Sequence, residues 1–216
     1  MGPLGRRLLL RGISRLDRLH LALAMRRHPG LEVHPSASTN LALARFRLAP
    51  GARLRIAAGV VTERRAGALS FLLEEGARVE VAEGAWLRTE IEPLTLVAFR
   101  GARLRVGPEC LLNGCHLSAK CELTLGRRVF VGPGTRVFDA DQHDLDAEHL
   151  ERSAPVRLGD HAWIASDVTI LRGVTVGEHA VVGARSLVTS DVPPHTLVFG
   201  TPARPRGRVG DRSNAR

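Results

Sequence analysis

The stretch LGDHAWIASDVTILRGVTVGEHAVVGARSLVTS, residues 158–190, decides the fold. Within it an aliphatic side chain returns at every sixth position: Leu158, Ile164, Ile170, Val176, Val182 and Val188. Glycine or alanine follows four of these anchors, at Gly159, Ala165, Gly177 and Gly183. Small or β-branched residues stand four places after the anchors, at Ala162, Val168, Val174, Ala180 and Ser186. A period of six matches neither the helical period of about 3.6 nor the two-residue alternation of a strand. It matches a solenoid whose triangular coil takes three hexapeptides, about 18 residues, per turn. One aliphatic per side then points into a narrow core. Glycine is expected at the corner, where the chain bends.

Toward the N-terminus the repeat loosens. Gly51-Ala52-Arg53-Leu54-Arg55-Ile56 returns as Gly76-Ala77-Arg78-Val79-Glu80-Val81 and again as Gly101-Ala102-Arg103-Leu104-Arg105-Val106, a period of 25 residues. Related apolar-x-apolar steps follow at Leu123-Thr124-Leu125, Val156-Arg157-Leu158 and Val174-Thr175-Val176. The alternation marks short strands with outward Arg, Glu or Thr between inward aliphatics. These strands are expected to stack on one face of a single prism, with about seven extra residues per early coil taken up in corner loops. Residues 57–75 and 82–100 read as irregular excursions, and residues 31–203 as one domain.

Leu125 to Leu158 spans 33 residues, a coil plus 15 more. The excess lies between Val137 and Pro155 and includes Phe138-Asp139-Ala140-Asp141-Gln142-His143-Asp144-Leu145-Asp146-Ala147-Glu148-His149. This polar, acidic, out-of-register segment predicts a loop over 138–155 thrown off the prism, the kind of element that carries function on a rigid scaffold.

Residues 1–30 form a separate N-terminal unit in which 4–27 read as an amphipathic helix ended by Pro29-Gly30. Arg7, Arg11, Arg15 and Arg18 share one face, with Leu9, Ile13, Leu16 and Leu23 opposite. The helix is expected to cap the open end of the solenoid or pack on another subunit; alternatively its basic face makes a peripheral contact with anionic lipid. The tail, 204–216, is basic, and from Gly207 onward it lacks periodicity and is expected to fray.

Hydrophobic residues make up 44% of the 216-residue chain, enough for a core, while aromatics are only 4% and Tyr is absent, as suits a thin prism of small aliphatics. Net charge is +9 and Lys120 is the only lysine. That arginine skew, with abundant Ala, Gly and Leu, is expected of a GC-rich bacterial genome. A basic balance suits nucleic acid, anionic lipid or a phosphorylated cofactor. The sequence shows no nucleic-acid motif and no aromatic stacking stripe, so nucleic acid is not an expected partner. Cys110, Cys115 and Cys121 form no CxxC pair, and reduced core thiols are expected. No apolar run approaches the roughly 18 residues of a membrane span. Arg11, Arg15, Asp17 and Arg18 interrupt the N-terminal leucines and no cleavage site follows, so a secretory signal is rejected and a cytoplasmic location expected, with the inner membrane face as an option.

Residues 155–205, PVRLGDHAWIASDVTILRGVTVGEHAVVGARSLVTSDVPPHTLVFGTPARP, resemble the terminal coils and exit segment of the hexapeptide-repeat acyltransferases, the maltose, galactoside and capsular-polysaccharide O-acetyltransferases among them. The likeness extends back through Cys115 and the His143 loop, about 95 residues in all; before residue 105 it is general. The resemblance implies an all-β fold, a left-handed parallel β-helix, whose handedness departs from the usual crossover rule. It implies an acetyl-CoA-dependent O-acetyltransferase acting on a sugar or polysaccharide hydroxyl, in a homotrimer with sites between subunits. By that match His143 is the general base, since an imidazole with pKa near 6.5 can take the proton of a hydroxyl attacking a thioester. Asp141 is the candidate to fix its tautomer. Asn113, one place off the family's spacing in Leu112-Asn113-Gly114-Cys115, is the candidate to position acceptor or oxyanion, a role a backbone amide could take instead. Trp163, Ser166, Ala184 and Thr189 match coenzyme contacts. Arg204 matches the arginine that meets the coenzyme phosphates, with Arg206 or Arg208 as substitutes. Ala165 and Arg185 stand where the family commonly has glycine.

Three rivals share the fold or the shape. One is an N-acetyltransferase on an amino-sugar nucleotide or antibiotic. Another is a non-catalytic solenoid scaffold. The third is a zinc enzyme like the gamma-class carbonic anhydrases, for which His116, His161, His179 and His195 are candidates. That family carries His-x4-His after a Val-Thr-Val-Gly-like step. Here Val174-Thr175-Val176-Gly177 leads to His179 with no histidine five places on, so no metal is expected.

Overall fold

The computed structural model describes residues 3–214, with side chains from Leu10 onward except that of Arg11. The chain winds into a three-sided column of parallel strands. The first face stacks the strands Leu31–Val33, Arg53–Ile56, Arg78–Val81, Arg103–Val106, Glu122–Leu125, Val156–Leu158 and Thr175–Val176. The second face carries, among others, Trp86–Arg88, Leu111–Asn113, Phe130–Val131, Trp163–Ile164 and Thr196–Gly200. The third runs from Arg45–Leu48 to Leu187–Val188.

The six-residue anchors behave as the pattern demands. Leu158, Ile164, Ile170, Val176, Val182 and Val188 are all at most 2% exposed. So are the small residues four places on, Ala162, Val168, Val174, Ala180 and Ser186. All but Ser186 join one continuous hydrophobic core with Leu54, Phe71, Leu96 and Leu117.

The corners differ from the expectation in their physical cause. The left-handed residue stands three places after each of the first five anchors, at His161, Asp167, Gly173, His179 and Arg185, with φ of 60°, 57°, 79°, 56° and 58°. The glycine directly after an anchor answers a different need. A Cβ on Gly177 would lie 2.4 Å from the Pro194 nitrogen, so the next coil presses on it. Ala165, like the glycines that follow the other anchors, has no left-handed φ, so its backbone makes no demand for glycine. Arg185 is strained by comparison. A non-glycine residue in the left-handed region costs about 1–2 kcal/mol, and the entropy of glycine offsets part of that. Arg185→Gly is therefore expected to raise stability by about 1 kcal/mol, read as a higher urea midpoint at unchanged slope.

The 25-residue repeat is confirmed in register. Arg53 pairs with Arg78 and Arg78 with Arg103, while Ile56, Val81 and Val106 align inward. The stretches read as irregular excursions prove regular. They contain Val61–Thr62 and Leu69–Leu73, then Trp86–Arg88 and Leu94–Ala98, which complete the other two faces. Their extra residues sit at the corners around Glu63–Ala68, Glu74–Ala77 and Thr89–Pro93. Aliphatic runs such as LSFLL carry both the inward and the outward row of a strand, so period alone hid them.

Helix α1, Pro3–Arg27, closes the column's first end, and no described helix is long and apolar enough to cross a membrane. Its orientation corrects the predicted faces. Leu21 is buried and Ala24 and Met25 pack against the core, whereas Leu16, at 60% exposed, and Leu23 face outward. The side chains of Arg7, Leu9 and Arg11 lie outside the described residues. Asp17 decides the rotation. It is buried and ion-paired with Arg64, which projects from the corner after Thr62. A buried carboxylate needs that partner, so the helix turns Asp17 inward beside Leu21 and carries Leu16, Leu19 and Leu23 out.

The tail is not frayed over its described length. Ala203–Arg208 forms a strand antiparallel to Thr196–Gly200, so the expected boundary after residue 203 falls inside an element. Beyond it the Val209 amide donates to the His195 carbonyl at 2.8 Å.

Candidate active site

The arm leaves the third face at Phe138 and rejoins the first at Val156. Its root is tightly held. Asp139, fully buried, accepts the Lys120 amide at 2.6 Å on one oxygen and the Cys121 amide at 2.8 Å on the other. Its own carbonyl accepts the Ala154 amide at 2.8 Å, tying the two ends of the arm together. Lys120 Nζ reaches Glu151 at 2.6 Å and the Gln142 carbonyl at 3.0 Å. Sequence reasoning passed over Asp139 and Lys120, although the sole lysine and an aspartate at the edge of the out-of-register segment were visible signals.

Toward its tip the arm is polar and open. His143 is exposed and stands outside the column. Asp141, expected to orient it, is engaged elsewhere. Its carboxylate pairs with Arg172 at 2.5 Å and accepts the Arg152 amide at 3.3 Å. The hydrogen bond from Arg172 holds the Asp141 carboxyl below the usual carboxylate range. Within the subunit Asp141 therefore braces the arm against the column. The histidine with a carboxylate partner is His149, whose Nδ1 lies 2.8 Å from Asp146. Asp146 also accepts the amides of Glu148 and His149, which builds a compact turn at the tip.

A groove of about 350 Å³ runs along the second face, lined by Asn113, Phe130, Trp163, Ser166 and Arg212 among others. Strand pairing creates it. Leu111, Phe130 and Trp163 align in register, so their outward side chains form one apolar row. The structure thus brings together three residues singled out from sequence, Asn113, Trp163 and Ser166. Asn113 Oδ1 is buried without a hydrogen-bond partner among the described residues, an unsatisfied polar atom of the sort that calls for a ligand or water. Ala184 and Thr189 lie exposed on later coils, outside the groove lining. Arg204 is also exposed, on the last strand, and donates to the Ala203 carbonyl at 2.9 Å.

Arg212 was missed because the tail carries no periodicity. The fold delivers it to the groove through a stack of imidazoles. His161, His179 and His195 occupy one corner on successive coils, with ring centroids 4.9 and 4.7 Å apart. The Arg212 amide donates to His179 Nδ1 at 2.9 Å and its guanidinium lies 5.1 Å from the Trp163 ring centroid. Burial, then the neighbouring His179 and Arg128, lowers the affinity of His161 for a proton. These histidines are packing and latching groups, and among the described residues no three His, Cys, Asp or Glu side chains are arranged to hold a metal.

Cys110 and Cys115 serve the core, whereas Cys121, expected there too, is half-buried at the root of the arm and lies outside that core. Burial pushes the Cys110 thiol up to about 12 and raises that of Cys115 as well, so neither offers a thiolate nucleophile near neutral pH.

The column and its grooved second face define a class, the left-handed parallel β-helix built from hexapeptide repeats. Comparison with known proteins agrees: the family described as bacterial transferase hexapeptide (six repeats) matches residues 155–190. The galactoside O-acetyltransferase of Escherichia coli strain K12 is 34% identical over 93 residues, 42% of this chain and 46% of that protein. The chain spans less than half the length of the curated relatives it matches. Among solved structures, a galactoside acetyltransferase in complex with coenzyme A superposes with a TM-score of 0.51 at 28% identity, covering 66% of this chain and 67% of that one. The polysialic-acid-specific acetyltransferase NeuO shares the fold, with a TM-score of 0.62 at 18% identity over 85% of this chain and 86% of its own.

Proposed function

We propose that this protein transfers an acetyl group from acetyl-CoA to a hydroxyl of a sugar or polysaccharide. Two observations support the reading: a braced arm between the third and first faces presents an exposed His143, and a groove on the second face gathers Asn113, Trp163 and Ser166. The pantetheine lies along the Trp163 row, and the guanidinium of Arg212, with Arg204, Arg206 or Arg208, meets the coenzyme phosphates. The acceptor hydroxyl attacks the thioester carbonyl while His143 takes its proton. The tetrahedral oxyanion collapses, the carbon–sulfur bond breaks, and the imidazolium returns the proton to the departing thiolate, leaving ester and free coenzyme. Holding donor and acceptor together supplies much of the acceleration. Asn113 positions the acceptor in this reading, its unpartnered Oδ1 accepting a hydrogen bond from a sugar hydroxyl, and a backbone amide can serve the oxyanion instead.

A homotrimer supports this chemistry, because the outward row of Val61, Trp86 and Trp163, each about two-fifths exposed, offers an apolar wall to a neighbouring copy. Threefold closure suits a triangular column, and the neighbour's arm then reaches the groove. Peripheral contact of helix α1 with anionic lipid rests on its outward leucines, Leu10, Leu16, Leu19 and Leu23, with Arg15, Arg26 and Arg27 beside them.

Release of free thiol from acetyl-CoA, measured across neutral sugars, acidic polysaccharides and amino sugars, tests the activity. Ester product on a sugar supports it. Amide product alone moves the assignment to N-acetyl transfer, and no turnover with any acceptor favours the scaffold. Arg212→Ala is expected to raise KM for acetyl-CoA at least about tenfold with kcat nearly unchanged, as loss of a charged contact made equally in ground and transition states does.

A further inference from the structure

The first face carries a charge pattern that the proposed chemistry at the groove does not use. Its outward residues stack in register. One row reads Arg53, Arg78, Arg103, Glu122, and the adjacent row reads Glu32, Arg55, Glu80, Arg105, Thr124, Arg157. Successive rungs of a sheet lie about 4.8 Å apart, so three guanidinium stems stand directly above one another. Arg53, Arg55, Arg78, Arg103 and Arg105 are all exposed, and none makes an ion pair among the described residues. The face's one ion pair among those residues joins Arg157 to Glu122 at 3.1 Å. A shallow depression of about 370 Å³ lies between these rows, lined by Arg78, Glu80, Arg103, Arg105, Glu122 and Thr124.

Like charges directly opposite in a sheet destabilise it. The fold has no need of them, since the inward Leu54, Val79 and Leu104 hold these rungs. Such a row is suited to a linear polyanion lying along the column, whose negative charges it meets one after another, and an acidic polysaccharide is such a polymer. The outward rows contain no aromatic ring, so the face lacks the stacking platform that single-stranded nucleic acid uses. The ladder also points to the arm. It climbs to Glu122 and Arg157, on the strands that flank the arm's return to the first face.

We infer that the first face is a docking track for an anionic polysaccharide, which makes the acceptor of the proposed reaction an acidic polymer. This rests on the acetyl-transfer reading for the identity of the acceptor, whereas the binding itself does not. The track holds the polymer by its carboxylates and feeds a hydroxyl of a nearby sugar unit to the arm.

The test compares the full chain with a triple variant, Arg53→Thr, Arg78→Thr and Arg103→Thr. Binding of polysialic acid, a neutral dextran of equal length and a single-stranded oligonucleotide is measured over a range of salt. The expected result is tight, salt-sensitive binding of polysialic acid alone, weakened at least about tenfold in the variant with a shallower salt dependence. The thermal midpoint of the variant is expected to be equal or higher, because the like-charge row is gone. Unchanged polysialic acid binding in the variant overturns the inference, as does equal binding of dextran or of the oligonucleotide. Arginine-dependent polysialic acid binding without acetyl transfer to any sugar supports the track while removing the acetyl-transfer reading.

Discussion

Replacing His143 with alanine is expected to lower kcat for acetyl transfer by about 100- to 10,000-fold, the range a general base contributes. The KM for acetyl-CoA is expected to hold, because the groove residues are untouched. Stability is expected to hold too, because His143 is exposed on the arm. Thiol release under saturating substrates reads the first effect and a denaturant melt the last. His149→Ala is the informative companion. His149 is the arm histidine that a carboxylate orients, through Asp146, and an oriented imidazole is the usual mark of a base. If His149→Ala falls by the larger factor and His143→Ala stays active, the base is His149. The expectation here is the reverse. The Asp146–His149 pair closes a local turn at the tip, while His143 is left free for a reacting group.

The second large effect is expected at Asp139→Ala. The carboxylate satisfies two backbone amides at once, those of Lys120 and Cys121. Removing it strands both, at about 1–3 kcal/mol each, so the protein is expected to lose about 2–6 kcal/mol of stability. The arm is expected to loosen as well, because Asp139 is where it leaves the column. Urea unfolding measures the first consequence. Limited proteolysis between residues 141 and 152 measures the second, with a drop in kcat that exceeds any fraction unfolded. Asp139→Asn is expected to be milder, since one oxygen still accepts one amide. Full activity and unaltered cleavage in Asp139→Ala would mean that the arm is held by Lys120 and Asp141 alone.

These two residues also mark how far the chain could be understood before its structure was known. The exposed loop that carries His143 was legible because it is a polar run that interrupts a strong repeat, with a family resemblance on either side. Asp139 was not, because its importance lies in amides donated by residues eighteen or more places earlier. The same holds for Arg212. Nothing in Gly207–Arg216 predicts that the tail folds back across stacked histidines to reach Trp163. Asn113 and Trp163 were each visible alone, but the groove that joins them with Ser166 exists only once strands from different coils are in register. Asp141 shows the converse error. Its position two residues from His143 suggested a tautomer partner, yet Arg172, thirty-one places away in sequence, takes the carboxylate.

The sequence by itself determined the column, its core and the place where the arm leaves it. A six-residue return of aliphatic side chains admits very few packings, and each anchor reports its own burial without reference to distant residues. Tertiary structure alone decided the rotation of the N-terminal helix, the route of the tail and the hydrogen-bond partners of the arm. Each of those depends on a charged or polar group finding its complement from another coil, and such pairings leave no period along the chain.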